Sequence, residues 1–480
     1  MEINSLYELN KSYLELINKK VNVTFNCWIR NNRSSGKIGF LNVTDGTTNN
    51  IQVVYKKDLI SNFDEISKFS VWSAIKVSGN IVLKDNDEKY EINATQIELL
   101  AVSDSNYPLQ NKEHSYEFLR EISHLRARSN LFNAVMRIRS EAAYAVHNFF
   151  HDERFLYLNA PEITENDGEG AGENFIIKTR QKDEVFFGEE AYLTVSGQLH
   201  AEAYAQAFKN VYTFGPTFRA ENSHTNRHIS EFWMIEPEMA FKDQKYGMQI
   251  AEALIKYVIK WVLENCIYEL KVCANKTDTL LIEKLQRYLD NKFPVIEYKE
   301  AINLLKKDLS ENKVTFENKD IFDGLDLGSE HEKYICEKVF NLPTFIINYP
   351  KEIKAFYMKL NQDKKTVAAY DCLVPGIGEV VGGSERENNI DIILNRLKEL
   401  KISPDKLNWY LELRKYGYYK SVGFGIGFER LIMMLTGIEN IRDVIAFPRY
   451  PSKKSVILAI IKKLPATISF TLNPALYEEI

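Results

Sequence analysis

The segment FRAENSHTNRHISEFWMIEPEM (218–239) carries many charged residues. They lie within and between two apolar segments whose alternating residue types are typical of the two strands of a hairpin. Alternation predicts one polar side, made of Thr213, Gly215, Thr217 and Arg219 from the first strand and of Phe232, Glu236 and Glu238 from the second. An arginine at a strand end suits a phosphate, and a phenylalanine beside it suits a nucleobase. Arg227 and His228 in the connecting loop would then reach the outer phosphates of a triphosphate. The alternative is a half-exposed hairpin, although exposed strand faces usually carry lysine and threonine rather than several glutamates.

A second stretch, SVGFGIGFERLIMMLTG (421–437), has glycine at alternate positions of a predicted strand, so one strand face lacks side chains. Such a face admits a flat ligand against the backbone at Gly423, Gly425 and Gly427. Arg430 follows in the first turn of a predicted helix, where a cation is unfavourable unless an anion binds beside it. Glycines packed tightly against a neighbouring strand are the alternative interpretation.

A third stretch, AYDCLVPGIGEVVGGSER, carries Asp371 and Glu379 within apolar strands, as oxygen ligands for phosphate-bound Mg²⁺ would be. Simple alternation places Glu379 and Arg386 on opposite faces, and they converge only if Gly382 and Gly383 form a bulge or turn. Two further segments, ITENDGEGAGENF and YLTVSGQLHAEAYA, are more typical of ordinary polar loops when each is considered alone.

The elements before these segments predict a separate β-barrel. Five strand-like segments follow one another: VNVTFNCWIR, KIGFLNVTDG, NNIQVVYKK, SAIKVSGNIVLK and YEINATQIELLAV. A predicted helix, SNFDEISKFS, lies between the third and the fourth, which is the layout of an OB-fold. Arg30, Arg33 and Lys37 cluster beside Trp28 and Phe40, as stacking on splayed bases requires. Core aromatics beside a solvated loop explain this segment equally well.

The domain organisation follows from these patterns. We expect an OB-fold domain over 1–104, a linker over 105–130 and a catalytic domain over 131–451. Irregular mixing of strands and helices favours an antiparallel α+β sheet in the catalytic domain. Within it, 243–345 is Lys/Glu-rich and predicts a mainly helical insertion, whereas 452–480 forms an atypical tail to which we assign no function.

Composition excludes several classes of protein. The net charge of −5 over 480 residues argues against a global nucleic-acid-binding field, so any such site must be a local patch. Five cysteines without a CxxC pair suit a reducing cytosol and argue against a disulfide scaffold or structural zinc. The polar N-terminus is not a secretory signal, and no apolar run reaches the roughly 18 residues that a membrane span needs. We therefore expect a cytoplasmic protein without a membrane segment.

Taken together, the motifs resemble those of class II aminoacyl-tRNA synthetases. The helix and strand ending at Pro161, the FRAENSHTNRH…EF segment and GFGIGFER are similar to motifs 1, 2 and 3 of that class. Within the aspartyl/asparaginyl/lysyl subgroup, LTVSGQLHAEAYA, FWMIEPEMAF, NYPKEIKAFYMKLN, PGIGEVVGGSERE and IRDVIAFPR resemble asparaginyl-tRNA synthetases. The resemblance covers about 20–450. It implies an N-terminal five-stranded OB-fold β-barrel and a class II catalytic domain with an antiparallel sheet flanked by helices.

The resemblance also implies roles for individual residues, with Arg219, Glu379 and Arg430 as the catalytic set. In the ATP site, Glu221 would bind the adenine amino group, and Phe232 and Arg430 would stack on the two faces of adenine. Arg219 would bind the α-phosphate, and Arg227 and His228 would bind the outer phosphates. Glu379, through Mg²⁺, and Gly427 complete the ATP-binding residues. Glu379 with Asp371 would hold Mg²⁺. The asparagine-binding residues would be Glu169, Ser196, Gln198, Glu236 and Arg386. Arg30, Phe40 and Gln52 would contact the anticodon.

One substitution favours asparagine over aspartate as the substrate. Aspartyl enzymes carry a lysine that meets the substrate carboxylate, and Ala201 stands at the matching position here. Losing that cation favours a neutral amide, which Glu236 as acceptor and Arg386 as donor would fit. The alternatives are a relaxed aspartyl-tRNA synthetase, a relative that makes asparagine from aspartate, and an RNA-binding paralogue.

The reaction implied by the resemblance has two steps. Asparagine and ATP give asparaginyl-adenylate and pyrophosphate, and the aminoacyl group then passes to tRNA(Asn), releasing AMP. Positioning and charge stabilisation carry such chemistry, and no protein nucleophile is needed. The subgroup implies a homodimer that forms through the helix before Pro161.

Overall fold

Contacts divide the chain into two units, Met1–Ser115 and Tyr116–Ile480. The computed structural model describes residues 1–83, 90–110, 112–165, 174–179, 186–223 and 225–451. Among these residues, no helix combines the length and the apolar character that crossing a membrane requires.

The first unit is built around a barrel. Its elements are α1 (Leu6–Asn18), β1 (Asn22–Ser35), β2 (Ile38–Thr44), β3 (Ile51–Lys56), α2 (Phe63–Ile66), β4 (Ala74–Leu83) and β5 (Tyr90–Ala101). The five strands close in the order β1-β2-β3-β5-β4, with β1 paired to β4. Alternate residues of each strand are buried, so the apolar set fills the interior. The predicted five-stranded OB-fold barrel is therefore confirmed.

Two helices accompany the barrel. The predicted helix between the third and fourth strands is present as α2, although it is shorter than the segment proposed for it. Helix α1 was not predicted, yet its signals are local: the Ser5 hydroxyl accepts from the Glu8 N–H, and Leu6, Leu9 and Leu16 are buried at helical spacing.

The second unit has helices on both sides of a large sheet. Its helices are α3 (Tyr116–Glu121), α4 (Ser123–Arg126), α5 (Asn130–Asp152), α6 (Gln198–Phe208), α7 (Gln244–Asn265), α8 (Ile267–Ala274), α9 (Leu281–Asp290), α10 (Tyr298–Ser310), α11 (Ser329–Lys333), α12 (Ile390–Glu399), α13 (Asn408–Glu412) and α14 (Phe428–Thr436). Its strands are β6 (Leu156–Tyr157), β7 (Ile163–Thr164), β8 (Ile176–Ile177), β9 (Ala191–Leu193), β10 (Asn210–Phe218), β11 (Glu231–Ala240), β12 (Val295–Glu297), β13 (Thr344–Ile347), β14 (Ala369–Val374), β15 (Gly378–Glu385) and β16 (Ser421–Gly427).

Eight strands form the main sheet, in the order β12-β13-β14-β15-β16-β11-β10-β6. Its pairs are antiparallel except for the two outermost, β12–β13 and β10–β6. The expected antiparallel α+β sheet is thus confirmed. The strand predicted to end at Pro161 is present as the short strand β6, which ends at Tyr157. A second short strand, β7, begins after Pro161, which lacks the N–H that a ladder needs.

The main core covers one face of this sheet. Helix α5 buries Ala134, Val135, Ile138, Ala142 and Val146 at helical spacing, and α7, α8, α9 and α14 join it. Their side chains pack against inward-facing residues of β10, β11, β14, β15 and β16. The residues that alternate with these core positions point to the opposite face, which is where the candidate site lies.

Candidate active site

A cavity of about 270 Å³ lies on the sheet face opposite the main core. It collects the predicted residues Ser196, Gln198, Arg219, Glu221, Arg227, His228, Phe232, Glu236, Asp371, Glu379, Arg386, Gly427 and Arg430. Glu169 lies outside the described residues. Segments that are far apart in the sequence therefore supply one site.

The hairpin β10–β11 provides the floor of the cavity. Its register places Thr213 opposite Glu236 and Thr217 opposite Phe232, so these residues share a face as predicted. On the other face Phe214 and Ile235 enter the core. The charged residues of 218–239 are thus compatible with a buried hairpin, because only one of its two faces is apolar.

Arginine and histidine side chains from this hairpin approach the cavity. The Arg219 guanidinium lies over the Phe232 ring, 5.5 Å from its centroid. The His228 ring bonds to the Thr225 hydroxyl at 2.5 Å. Burial, together with the charge of Arg430, lowers the pKa of His228, so its imidazole is neutral at pH 7. An anion entering the cavity would therefore meet fixed guanidinium charges and a neutral imidazole.

The glycine-rich strand β16 is only partly a bare surface. A Cβ on Gly423 would lie 2.1 Å from the Glu238 carboxylate, and one on Gly425 would lie 2.6 Å from the Met234 methyl group. The expectation that all three glycines leave room for a ligand is thus wrong for Gly423, whose space is taken by Glu238. Gly425 and Gly427 do line the cavity.

A bulge in β15 brings Glu379 and Arg386 to the same face. Cys372 pairs with Val381 and Leu373 pairs with Glu379, which leaves Val380 as the extra residue. The sequence allowed this convergence only through a bulge or turn at Gly382 and Gly383, whereas the bulge lies at Val380. Gly382 and Gly383 keep regular pairing with Asp371 and Tyr370. A Cβ on Gly382 would meet the Glu379 carboxylate, and one on Gly383 would meet the Tyr370 ring, so both positions require glycine.

Three carboxylates near the cavity each face a cation. Lys354 donates to Asp371 at 2.6 Å, and Arg430 lies 3.6 Å from the Glu379 carboxylate while donating to its backbone carbonyl at 2.7 Å. Arg227 lies 3.5 Å from Glu332. Burial raises the pKa of Asp371, against the effect of Lys354. Burial, with Glu379 nearby, raises the pKa of Glu332 to about 7. Each of these three carboxyl groups therefore has a positively charged side chain beside it.

At the other end of the cavity, Glu236 and Arg386 are held by fixed partners. The Glu236 carboxylate accepts from the Gly197 N–H and the Thr213 hydroxyl, both at 2.9 Å, and from Ser196. Arg386 donates through Nε to Glu238 at 3.1 Å and through Nη1 to the Ser384 hydroxyl at 2.8 Å. An acceptor and a donor in this fixed arrangement suit a neutral carboxamide.

Helix α6 presents its N-terminal turn to the same end. The Gln198 N–H donates to the Ser196 hydroxyl at 3.1 Å. The Gln198 side-chain Nε2 is buried without a hydrogen-bond partner among the described residues, so it is available to a ligand. Ala201 is buried beside Val211 and Ala205 and does not line the cavity.

In the barrel unit, the predicted anticodon residues lie on the outer face. Phe40 pairs with Val54 and Asn42 with Gln52, so Phe40 and Gln52 share a face; Gln52 donates to Glu91 at 2.8 Å. Arg30 occupies a bulge in β1, and its guanidinium lies 5.0 Å from the Trp72 ring centroid.

Comparison with known proteins identifies the family. The model of class II tRNA synthetases for aspartate, lysine and asparagine matches residues 115–451, and that of the OB-fold nucleic acid binding domain matches 23–100. Asparagine--tRNA ligase of Mycoplasma mycoides is 51% identical over 456 residues, covering 94% of this chain and 99% of the relative. The chain belongs to the asparaginyl-tRNA synthetase family. The same enzyme of Mycoplasma capricolum is 52% identical over 94% of this chain and 99% of that relative.

Solved asparaginyl-tRNA synthetases share the architecture. The enzyme of Pyrococcus horikoshii complexed with asparaginyl-adenylate has a TM-score of 0.81 and 32% identity, covering 90% of this chain and 95% of that one. The enzyme of Entamoeba histolytica in complex with asparaginyl-adenylate has a TM-score of 0.78 and 25% identity, covering 90% and 95%. The asparaginyl-tRNA synthetase assignment also decides against the aspartyl and RNA-binding alternatives.

Three charged residues of this asparaginyl-tRNA synthetase site were assigned no role from the sequence. Glu238 is the buried partner of Arg386, Lys354 pairs with Asp371, and Glu332 pairs with Arg227. Strand alternation already placed Glu238 beside Glu236, and Lys354 lies in a segment that resembles the family. Glu332 gave no signal, since it lies on the short helix α11 within the stretch predicted as an insertion.

Proposed function

We propose that the chain activates L-asparagine with ATP and transfers it to tRNA(Asn), releasing pyrophosphate and AMP. The supporting observation is that Arg219, Phe232 and Arg430 line the same cavity as Glu236 and Arg386. A nucleotide at one end and a carboxamide at the other would place the reacting carboxylate between them.

In the first step, an oxygen of the asparagine carboxylate attacks the α-phosphorus of ATP. The bond from that phosphorus to the bridging oxygen of the leaving group breaks, and the electron pair leaves with pyrophosphate. Arg219 stabilises the charge that develops on the α-phosphate. In the second step, the oxygen of the terminal ribose hydroxyl of the tRNA attacks the asparaginyl carbonyl carbon and forms an ester. The bond from that carbon to the adenylate oxygen breaks, AMP leaves with the electron pair, and the hydroxyl proton is released.

The nucleotide is held by groups from the hairpin and from α14. Phe232 and Arg430 bind the two faces of adenine, and Glu221 accepts from the adenine amino group. Arg227 and His228 bind the outer phosphates, and Gly427 lets the nucleotide approach the backbone of β16. Arg430 reaches the cavity from the first turn of α14, next to the positive end of the helix, so a bound phosphate would relieve its electrostatic cost.

Mg²⁺ fits the donor set beside Gly382. A Cβ there would lie 2.9 Å from a Glu379 carboxylate oxygen and 3.7 Å from an Asp371 oxygen, so both carboxylates border one space. No group of three or more metal-ligating side chains occurs within the described ranges. Two carboxylates suffice, because Mg²⁺ takes its other ligands from water and substrate phosphates. When bound, Mg²⁺ would neutralise phosphate charge, with Glu379 and Asp371 as its protein ligands.

Specificity for asparagine rests on Glu236 and Arg386. Glu236 accepts from the carboxamide N–H₂ and Arg386 donates to its carbonyl oxygen. Ser196 and Gln198 hold the α-amino end, and Glu169 joins them. An aspartate carboxylate would face the negative charge of Glu236, and the lysine that pairs with it in aspartyl enzymes is missing here. The aspartate carboxylate would therefore be an unpaired charge in the cavity, which disfavours its binding.

The barrel unit recognises the anticodon of the tRNA. Phe40 stacks on the central base, Gln52 hydrogen-bonds to it, and Arg30 binds the backbone beside it. A Phe40→Ala variant should raise the KM for tRNA(Asn) without changing the KM for ATP, and equal KM values for tRNA would contradict this assignment.

We also propose a cytoplasmic homodimer that forms through α5 and the strand after it. The five cysteines are unpaired and buried, which suits a reducing compartment. Strand β6 is an edge of the main sheet and exposes Leu156 and Tyr157, which a second copy would cover. Light scattering at micromolar concentration should give twice the mass of one chain, and the mass of a monomer would contradict the proposal.

Amino-acid-dependent exchange of pyrophosphate into ATP tests the activity. We expect exchange with asparagine and ATP, and far less with aspartate. Exchange that aspartate supports better than asparagine would contradict the proposed substrate.

A further inference from the structure

We propose that Glu332 is a positioning residue, which holds Arg227 in place for the outer phosphates of ATP. This inference rests on the proposed function, in which Arg227 binds those phosphates. Glu332 would act through Arg227 and would not itself touch the substrate.

The pair is formed within a partly closed space. Arg227 Nη1 lies 3.5 Å from Glu332 Oε2, and the two side chains are only 14% and 17% exposed. Gly378 begins β15 with φ of +88°, and a Cβ there would lie 2.4 Å from Arg227 Nη1 and 2.8 Å from Glu332 Oε2. The backbone of the β14–β15 turn therefore closes over the pair, which only glycine permits.

The other end of the guanidinium is left for a ligand. Arg227 lines the cavity, and its Nη2 is buried with no hydrogen-bond partner in the described part of the chain. A buried donor without an acceptor is costly, and a phosphate oxygen would satisfy it. Glu332 thus engages one nitrogen while its neighbour stays unsatisfied.

Charge gives a second reason for Glu332 to be there. Arg219, Arg227 and Arg430 line the same cavity, and Arg430 already has Glu379 beside it. Without Glu332, Arg227 would be a desolvated cation that its neighbours repel, and it would turn away from the site.

The two residues before Glu332 on α11 bind the backbone of the preceding loop. Glu330 accepts from the backbone N–H groups of Glu317 and Asn318 at 2.6 and 2.8 Å. His331 is buried, and its Nε2 lies 3.2 Å from the Asn318 carbonyl. Glu332 has no such backbone contact within the residues described, so its contact with Arg227 is best explained by the site.

A double-mutant cycle tests the inference in the full-length protein. We expect Glu332→Gln to raise the KM for ATP in pyrophosphate exchange about tenfold, and to change the KM for asparagine less than about twofold. In an Arg227→Ala background, the same change should alter the KM for ATP by less than about twofold, because the residue through which Glu332 acts is gone. If Glu332 served only to stabilise the fold, Glu332→Gln would change the KM for ATP by the same factor with and without Arg227.

Two further variants keep every outcome decisive. Glu330→Gln is the matched control: it should lower the melting temperature without a selective effect on the KM for ATP. If Glu332→Gln does not fold, Glu332→Asp, which keeps the charge on a shorter side chain, should show a selective rise in the KM for ATP of about threefold or more.

The outcomes separate the two levels of the proposal. An unchanged KM for ATP in Arg227→Ala would refute the phosphate role of Arg227 and the inference with it. The inference alone would be overturned if Arg227→Ala raises the KM for ATP but the Glu332 variant does not raise it selectively. It would also be overturned if the Glu332 change raises the KM for ATP by the same factor with and without Arg227.

Discussion

Replacing Glu236 by glutamine should remove asparagine recognition while leaving ATP binding intact. Glu236 is 5% exposed, and three donors from β10 and the turn before α6 fix its two carboxylate oxygens. In Glu236→Gln, one acceptor becomes an N–H₂ group that must face either those donors or the carboxamide N–H₂ of the substrate. One charged hydrogen bond is lost in either orientation.

The magnitude follows from that hydrogen bond. A hydrogen bond to a charged group contributes about 1.5–3 kcal/mol, which corresponds to about 10- to 150-fold in kcat/KM. We expect a loss of that size for asparagine, and a KM for ATP within about twofold of the original. Aspartate should be rejected less strongly, because the negative charge facing its carboxylate is gone.

Pyrophosphate exchange at varied asparagine, aspartate and ATP measures all three quantities. Glu231→Gln, on the same strand but outside the cavity, is the matched control. An unchanged kcat/KM for asparagine, or a KM for ATP that rises by the same factor as the KM for asparagine, would contradict the carboxamide role of Glu236.

Three further predictions concern packing and burial. Gly423→Ala should destabilise the protein by about 1–3 kcal/mol and impair asparagine activation, because its Cβ would lie 2.1 Å from Glu238; Gly215→Ala, with no atom within 4 Å of its Cβ, should melt normally. Asp443→Asn should cost about 3–5 kcal/mol in urea unfolding, because Arg120 and Arg126 would lose their buried partner; exposed Asp152→Asn should cost almost nothing, and equal costs would contradict the argument. Burial raises the pKa of Cys266 and Cys273 to about 12, so at pH 8 these thiols stay protonated in the folded state and iodoacetamide should label them only after unfolding; rapid labelling of the native protein would contradict their burial.

Patterns within single segments predicted the strands of the barrel and the two faces of the main hairpin. Alternation gave the barrel strands and the two faces of the β10–β11 hairpin, since a side-chain period of two assigns each residue to one side. Helix α1 has equally local signals in its Ser5 cap and its leucines at helical spacing, although it was not predicted.

Long-range pairing was beyond those patterns. The bulge at Val380 depends on how β15 pairs with β14, and the filling of the space over Gly423 depends on a side chain from β11. Glu332 approaches Arg227 from about a hundred residues away in the chain, across a stretch that showed only helical periodicity. Spacing within a segment predicts which residues share a face, but it does not predict which distant side chain will occupy the space in front of them.

A crystal structure of the protein with ATP and asparagine bound tests the central claim most directly. We predict adenine between Phe232 and Arg430, Arg219 on the α-phosphate, and the carboxamide between Glu236 and Arg386. A nucleotide bound elsewhere, with Arg219 and Phe232 facing open solvent, would contradict it.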